Sequence, residues 1–164
     1  MRTEAWVIDA SPLILYSRVG RLDLLERLAL AIEVPETVIR EVLGGIRRDE
    51  TATAAAAWAE RFLVPDRLLP TNVERWTLGP GESQVIGHCL QGKRWAVLDD
   101  QAARRCVRSL GLLMIGSLGI ALRAKTHGVI SAARPLVYSL VDAGMFATEE
   151  LLERSLAAIG EANG

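Results

Sequence analysis

Trp6-Val7-Ile8-Asp9-Ala10-Ser11-Pro12 is the stretch from which the fold is read. A brief apolar run ends on an acid, and Ser11-Pro12 then opens a helix, with the hydroxyl at the cap and the proline in the first turn. The pattern returns further along: Trp95-Ala96-Val97-Leu98 runs into Asp99-Asp100 ahead of a helix carrying Arg104, Arg105 and Arg108. Leu112-Leu113-Met114-Ile115 passes through Gly116-Ser117 into a helix that reaches Gly128. Ile32-Glu33-Val34 is strand-like, and Pro35-Glu36-Thr37 starts a helix whose Val38, Val42 and Leu43 share a face before Gly44-Gly45 ends it. Helical patterns also cover 21–30, the alanine-rich 51–62, 82–90 after the turn Gly79-Pro80-Gly81, 131–143 and 148–159, while 64–79 holds two prolines and one short strand. Continuously apolar strands separated by helices require a parallel sheet covered on both faces. The predicted class is α/β: a three-layer α/β/α sandwich around a central, mainly parallel sheet of about five strands.

Length and composition agree with one domain. The chain has 164 residues, half of them apolar, enough for a core without disulfide or metal staples. No repeat, linker or charge block divides it, so 1–164 is read as one domain with 131–164 as a C-terminal helical extension. Lys and Arg number 19 against 20 Asp and Glu, a net charge of -1, which excludes a global basic field for collecting nucleic acid. Cys89 and Cys106 sit in apolar context and read as reduced core residues rather than a disulfide framework. Glu4 and Asp9 interrupt any apolar leader, and no uncharged apolar stretch is long enough to span a membrane. A cytoplasmic protein with no membrane partner is expected.

In a parallel α/β sheet, functional groups gather where strands end. Here Asp9 and the doublet Asp99-Asp100 end strands, Glu82 opens a helix, and Glu41 lies beside an apolar helical face, four residues beyond Thr37. Each acid has a plain structural reading. Asp9 would serve equally as a helix N-cap, Glu82 as a carboxylate favoured by the helix dipole, and Glu41 as a solvated side chain. Taken together, three or four carboxylates without a helping histidine or cysteine pair are the ligand chemistry of a hard cation, Mg²⁺ or Mn²⁺. Such a site relieves the mutual repulsion of its acids and neutralises charge on a phosphodiester under attack.

The sequence resembles the PIN-domain nucleases, particularly the VapC-like toxins of toxin-antitoxin pairs. The resemblance lies in Val7-Ile8-Asp9-Ala10-Ser11-Pro12-Leu13-Ile14, Val34-Pro35-Glu36-Thr37-Val38-Ile39-Arg40-Glu41-Val42, Gly81-Glu82-Ser83-Gln84, Val97-Leu98-Asp99-Asp100-Gln101-Ala102-Ala103-Arg104 and Gly116-Ser117-Leu118-Gly119-Ile120, in the family's order. It implies a Mg²⁺- or Mn²⁺-dependent endoribonuclease whose catalytic acids are Asp9, Glu41, Glu82 and Asp100. The implied metal ligands are Asp9, Glu82 and Asp100, with Asp99 as the alternative in the doublet and Asp100 then capping the following helix. Glu82 stands where many relatives have Asp. One of Glu41, Glu82 or Asp100 would act as base. Ser11 and Ser117 occupy places where the family puts a small polar residue, and Arg104 and Arg108, which share a helix face, would hold the RNA backbone. The resemblance further implies an RNA substrate, a homodimer, and a small antitoxin that plugs the acidic pocket with a basic group.

Two other classes compete. A PIN-like binding or assembly module with little or no nuclease activity fits the Glu82 variation and the lack of a basic surface. A phosphatase-like enzyme would want Asp-x-Asp at Asp9, and Ser11 stands at the second position. His88 and His127 have no partner at zinc-binding spacing and read as surface or helix residues, and Cys89 lacks an adjacent base. Arg123 and Lys125 are weaker candidates for the RNA backbone.

Overall fold

The computed structural model describes residues 4–45 and 49–162; residues 1–3, which enter the reading of the N-terminus, and 163–164, the end of the helical extension, lie outside them. Five strands form one all-parallel sheet: β1 (Ala5–Ile8), β2 (Ala31–Pro35), β3 (Leu63–Val64), β4 (Arg94–Val97) and β5 (Met114–Ile115), in the order β3-β2-β1-β4-β5. The chain therefore winds outward from β1 in one direction and from β4 in the other. The place where the two windings part, between the carboxyl ends of β1 and β4, is where such sheets leave a crevice. This is the expected α/β/α sandwich, and helices flanking the sheet bury Trp6 to Ile8 of β1 and the carboxyl ends of β2 and β4, while β3 stays partly exposed at the edge.

The connecting helices follow local chemistry with small shifts from the sequence pattern. Helix α1 (Ala10–Arg18) starts earlier than the Ser11 cap would place it, because Asp9 takes the N-cap position. Helix α2 (Asp23–Leu28) is shorter than the periodic stretch 21–30; Arg21 and Leu22 instead form the turn that accepts from Leu24 and Leu25. Helices α3 (Glu36–Gly44) and α4 (Glu50–Glu60) pack against each other and against α1. The segment 64–79 carries the end of β3 and a short helix, α5 (Thr71–Glu74). Both amide ends of Gln84 tie Arg67 to α6 (Pro80–Cys89), with the Arg67 N–H donating to Oε1 and Nε2 donating to the Arg67 carbonyl.

Helix α6 is the central support of the site. It packs on β1, β2 and β4, and most of its residues are buried. Gly87 lets Leu69 of the segment 64–79 close on the helix, since a Cβ there would lie 2.8 Å from Leu69 Cδ2. After β4 come α7 (Gln101–Ser109), then β5, reduced from the apolar run 112–115 because Leu112 turns back to the Val107 carbonyl, then α8 (Ser117–Thr126). Helices α9 (Arg134–Asp142) and α10 (Glu149–Ala158) complete the chain, joined by an Arg134–Glu153 pair.

Cys89 and Cys106 are free and buried. His88 departs from a surface reading: it lies in α6 but is only 2% exposed, whereas His127 is exposed beyond α8. Arg123 and Lys125 are occupied structurally. Arg123 pairs with Glu4 at 2.6 Å and covers the Trp95 ring, and Lys125 donates to the Ser131 carbonyl. Among the described residues, no helix is long and apolar enough to cross a membrane.

Candidate active site

Strand register assembles the site. Ile8 pairs with Val97 and Val97 with Ile115, and the Asp9 N–H donates to the Val97 carbonyl at 2.9 Å. The ends of β1, β4 and β5 therefore lie side by side, bringing Asp9, Asp99 and Ser117 to one edge of the sheet.

Asp9 is 5% exposed. It occupies the N-cap position of α1 but makes no capping hydrogen bond, and its Oδ1 is buried with no partner among the described residues. An ionised carboxylate in that condition is costly. Burial pushes its pKa up to about 7; the Ala10 N–H opposes the shift, while the charges of Glu82, Glu41 and Asp99 add to it.

Glu41 reaches the same cleft from α3. Although exposed, it is anchored: Oε1 accepts from the Gly81 N–H at 2.9 Å. Gly81 makes the approach possible, because a Cβ there would stand 2.3 Å from Glu41 Oε2. Glu82, the next residue, is half-buried at N3 of α6, and its Oε2 accepts from the Gly79 N–H at 3.1 Å. Burial, then the charges of Asp100 and Glu41, hold its carboxyl above the usual range, against the pull of the Gly79 N–H. Asp9, Glu41 and Glu82 line one cleft of about 410 Å³ together with Ser11 and Arg18.

The doublet divides its work. Asp100 is exposed and caps α7, accepting from the Ala103 N–H at 2.9 Å. Asp99 turns toward the strand ends, where Oδ1 accepts from the Ser117 N–H at 2.8 Å and Oδ2 from Ser117 Oγ at 2.6 Å and Ser11 Oγ at 3.2 Å. Ser117 is held in turn by the buried Tyr16 hydroxyl, which donates to its carbonyl at 2.8 Å. Gly116 gives Asp99 its room, since a Cβ there would meet Asp99 Oδ1 at 2.9 Å and Arg104 Nη1 at 2.7 Å. Asp99 and Asp100 line a larger groove with Arg104 and Arg108, adjoining the acid cleft at Ser11, Leu15 and Gly144. Burial and the neighbouring Arg108 lower the pKa of the Arg104 guanidinium, against the charge of Asp99.

All the acids singled out in the sequence thus face one end of the sheet, Asp9, Glu41 and Glu82 in one cleft and Asp99 and Asp100 in the next. Among the described residues, no Lys or Arg comes within salt-bridge distance of any of them. Nor do three His, Cys, Asp or Glu side chains close on a single point as a metal cage would. The supporting residues Gly81, Gly116 and Tyr16 are not legible as site residues from sequence. Gly79-Pro80-Gly81 reads as a turn, and Tyr16 reads as one more core position of α1.

The fold and these acids define an α/β protein with an acid-lined candidate crevice at the carboxyl ends of its central strands. The family model of the PIN domain matches residues 5–161, and the chain belongs to the PIN-domain family. PIN domains are generally nucleases. No curated protein matches the sequence.

Proposed function

We propose that this protein is a metal-dependent endoribonuclease that hydrolyses RNA phosphodiester bonds. The observation that carries this reading is the buried Oδ1 of Asp9, without a hydrogen-bond partner among the described residues and beside the charges of Glu82, Glu41 and Asp99, none of which forms an ion pair with a described Lys or Arg. Oxygen-only donors suit Mg²⁺ or Mn²⁺, and Mg²⁺ is commonly held by one or two carboxylates, with waters and substrate phosphate completing its shell, so a closed protein cage is not required. Asp9 and Glu82 are the first ligands in this reading, with Asp99 and Asp100 at the rim. A bound divalent cation would neutralise charge on the phosphate and lower the pKa of water.

The chain's own residues supply the remainder. Ser117 and Ser11 fix the Asp99 carboxylate, and Gly81 fixes Glu41, so neither acid swings away from the cleft. One of Glu41, Glu82 or Asp100 takes the proton of the attacking water; Glu41, which is not among the ligands and uses only Oε1 on the Gly81 N–H among the described residues, is placed for it. The new bond joins water oxygen to phosphorus, and the bond from phosphorus to a ribose oxygen breaks. Arg104 and Arg108 hold neighbouring phosphates.

The wider biological reading is the toxin of a toxin-antitoxin pair, acting as a homodimer and restrained by a small antitoxin. A cleft of unneutralised acids supports it, since a basic side chain of such a partner would find its counter-charge there. A second reading, a PIN-like binding or assembly module with little nuclease activity, is favoured by the lack of three converging ligand groups among the described residues.

Incubation with single-stranded RNA separates the two readings. Cleavage is expected with Mg²⁺ or Mn²⁺, to be lost in EDTA, and to fall at least ~100-fold in Asp9→Asn, as for other groups acting directly in the transition state. Cleavage that survives EDTA or Asp9→Asn rejects the mechanism.

A further inference from the structure

The groove beside the acid cleft has a second wall that the acids do not explain. It occupies about 810 Å³ and runs from Ser11 and Asp99 past Arg104 and Arg108 to an apolar stretch that includes Leu118, Leu122 and Phe146. Phe146 is 99% exposed. It nevertheless sits on an anchored loop: Arg18 donates to the Ala143 carbonyl at 2.9 Å, Met145 beside it is buried with its N–H on the Leu140 carbonyl, and Thr148 caps α10. A large aromatic ring fully in water on a fixed loop is a poor core residue and a ready stacking surface.

The opposite wall is cationic. Arg104 and Arg108 stand four residues apart on one face of α7, and among the described residues neither pairs with a carboxylate within salt-bridge distance. Arg104 is spent only on the Leu98 carbonyl at 3.3 Å. Guanidiniums without an ion pair among the described residues and an exposed aromatic ring lining one groove match a strand that offers both a phosphate and a free base. The groove shares Ser11, Leu15 and Gly144 with the acid cleft, so one strand can occupy both.

We propose that this groove is the subsite for an unpaired nucleotide next to the scissile phosphate, with its base stacked on Phe146 and its backbone held by Arg104 and Arg108. A paired base would not take this subsite, because its faces are already covered by its neighbours. The inference rests on the ribonuclease reading. It adds that the C-terminal segment, through Phe146, selects strandedness.

The test is fluorescence anisotropy in Mg²⁺ with the full chain carrying Asp9→Asn, using a labelled single-stranded RNA and a duplex of the same sequence. Adding Phe146→Ala should weaken single-strand binding about 5- to 150-fold, the range found when one base loses its aromatic stack. Phe146→Tyr should restore it, and weak duplex binding should not move. Arg108→Ala should lower single-strand affinity and reduce the salt slope by about 0.7. Phe146 is fully exposed, so its replacement should leave the fold intact, checked by an unchanged melting temperature. Equal single-strand binding with and without Phe146 overturns the subsite, as does an equal loss for duplex. Sedimentation showing that Phe146→Ala splits a dimer while leaving RNA affinity unchanged would give the surface to a second copy of the chain. In the parent chain, cleavage with unaltered KM in Phe146→Ala would reject the subsite alone, whereas a parent that neither binds nor cleaves RNA would reject the ribonuclease reading beneath it.

Discussion

Helix α6 begins at one cluster of charged residues and ends at another. At its start, Glu82 joins Asp9 and Glu41, whose oxygens among the described residues meet only backbone N–H groups or no hydrogen-bond partner. At its end, His88 lies beside Glu33, Arg94 and Arg67. There Arg94 Nη2 donates to Glu33 Oε1 at 2.9 Å and Arg94 Nε makes an ion-pair contact with Oε2 at 2.9 Å, although Oε2 and His88 Nε2 are buried without a hydrogen-bond partner among the described residues, and His88 Nδ1 accepts from Arg67 Nε at 3.2 Å. Burial first, then Arg67 and Arg94, lowers the pKa of His88 despite the opposing charge of Glu33, which favours the neutral ring. The second cluster cancels its charge internally, as buried ionic groups must if they are only to hold a fold together. The first has no ion pair among the described residues, and the proposed function gives it a divalent cation as partner. Substitutions should therefore act with opposite signs at the two ends of one helix.

The largest expected effect is at Asp9. Its ordinary pKa of 3.8 is raised to about 7 in the folded chain, so the folded state holds a proton that the unfolded state has lost between those values. The destabilising contribution of Asp9 to the metal-free chain should be absent below about pH 4, grow as pH rises, and be complete above about pH 7. Asp9→Asn should then raise metal-free stability at pH 8 by on the order of a few kcal/mol, with the gain vanishing near pH 4. Urea melts at the two pH values check it; a destabilised variant at pH 8 would place the acid in a structural role.

Arg94→Ala should do the reverse. It strands Glu33, and because that pair keeps some contact with solvent the loss should be on the order of 2 kcal/mol, below the ~3–5 of a fully buried pair. RNA cleavage per folded molecule should be unchanged, and a kinetic defect without a stability defect would break the contrast between the clusters.

Gly81→Ala should separate stability from activity within the acid cleft. The added methyl displaces the flexible end of Glu41, while alanine suits a helix better than glycine by about 1 kcal/mol. Melting should shift by about 1 kcal/mol or less, and cleavage should drop about tenfold, the equivalent of ~1.4 kcal/mol in the transition state. The smallest effect is Ser117→Ala, which removes one of the three hydrogen bonds to Asp99; a net ~1 kcal/mol corresponds to roughly a fivefold loss of cleavage.

Much of this arrangement is legible in the chain because strand ends announce themselves: an apolar run, an acid, then a helix signal at Asp9 and again at Asp99-Asp100. What periodicity cannot supply is direction. Neighbouring residues at a strand end point apart, so the separation of Asp99, turned to Ser117, from Asp100, spent on Ala103, appears only with the turn itself. The same limit hides the difference between Asp9 and Asp100. Both hold N-cap positions, yet only Asp100 caps with its side chain. His88 reads as one histidine in a helix because the partners that bury it come from β2, β4 and the segment around Arg67, far apart in sequence. Phe146 lies beyond the segments that carry the family resemblance, and its place beside Arg104 and Arg108 depends on how α9 and α10 fold back.

The claim common to these expectations is the proposal that the acid cleft binds a divalent cation through Asp9. Titrating Mn²⁺ into the chain by calorimetry at pH 8 tests this directly: one saturable site is expected in the parent protein and none in Asp9→Asn. A parent chain with no saturable site, or a variant that binds Mn²⁺ as the parent does, would contradict it.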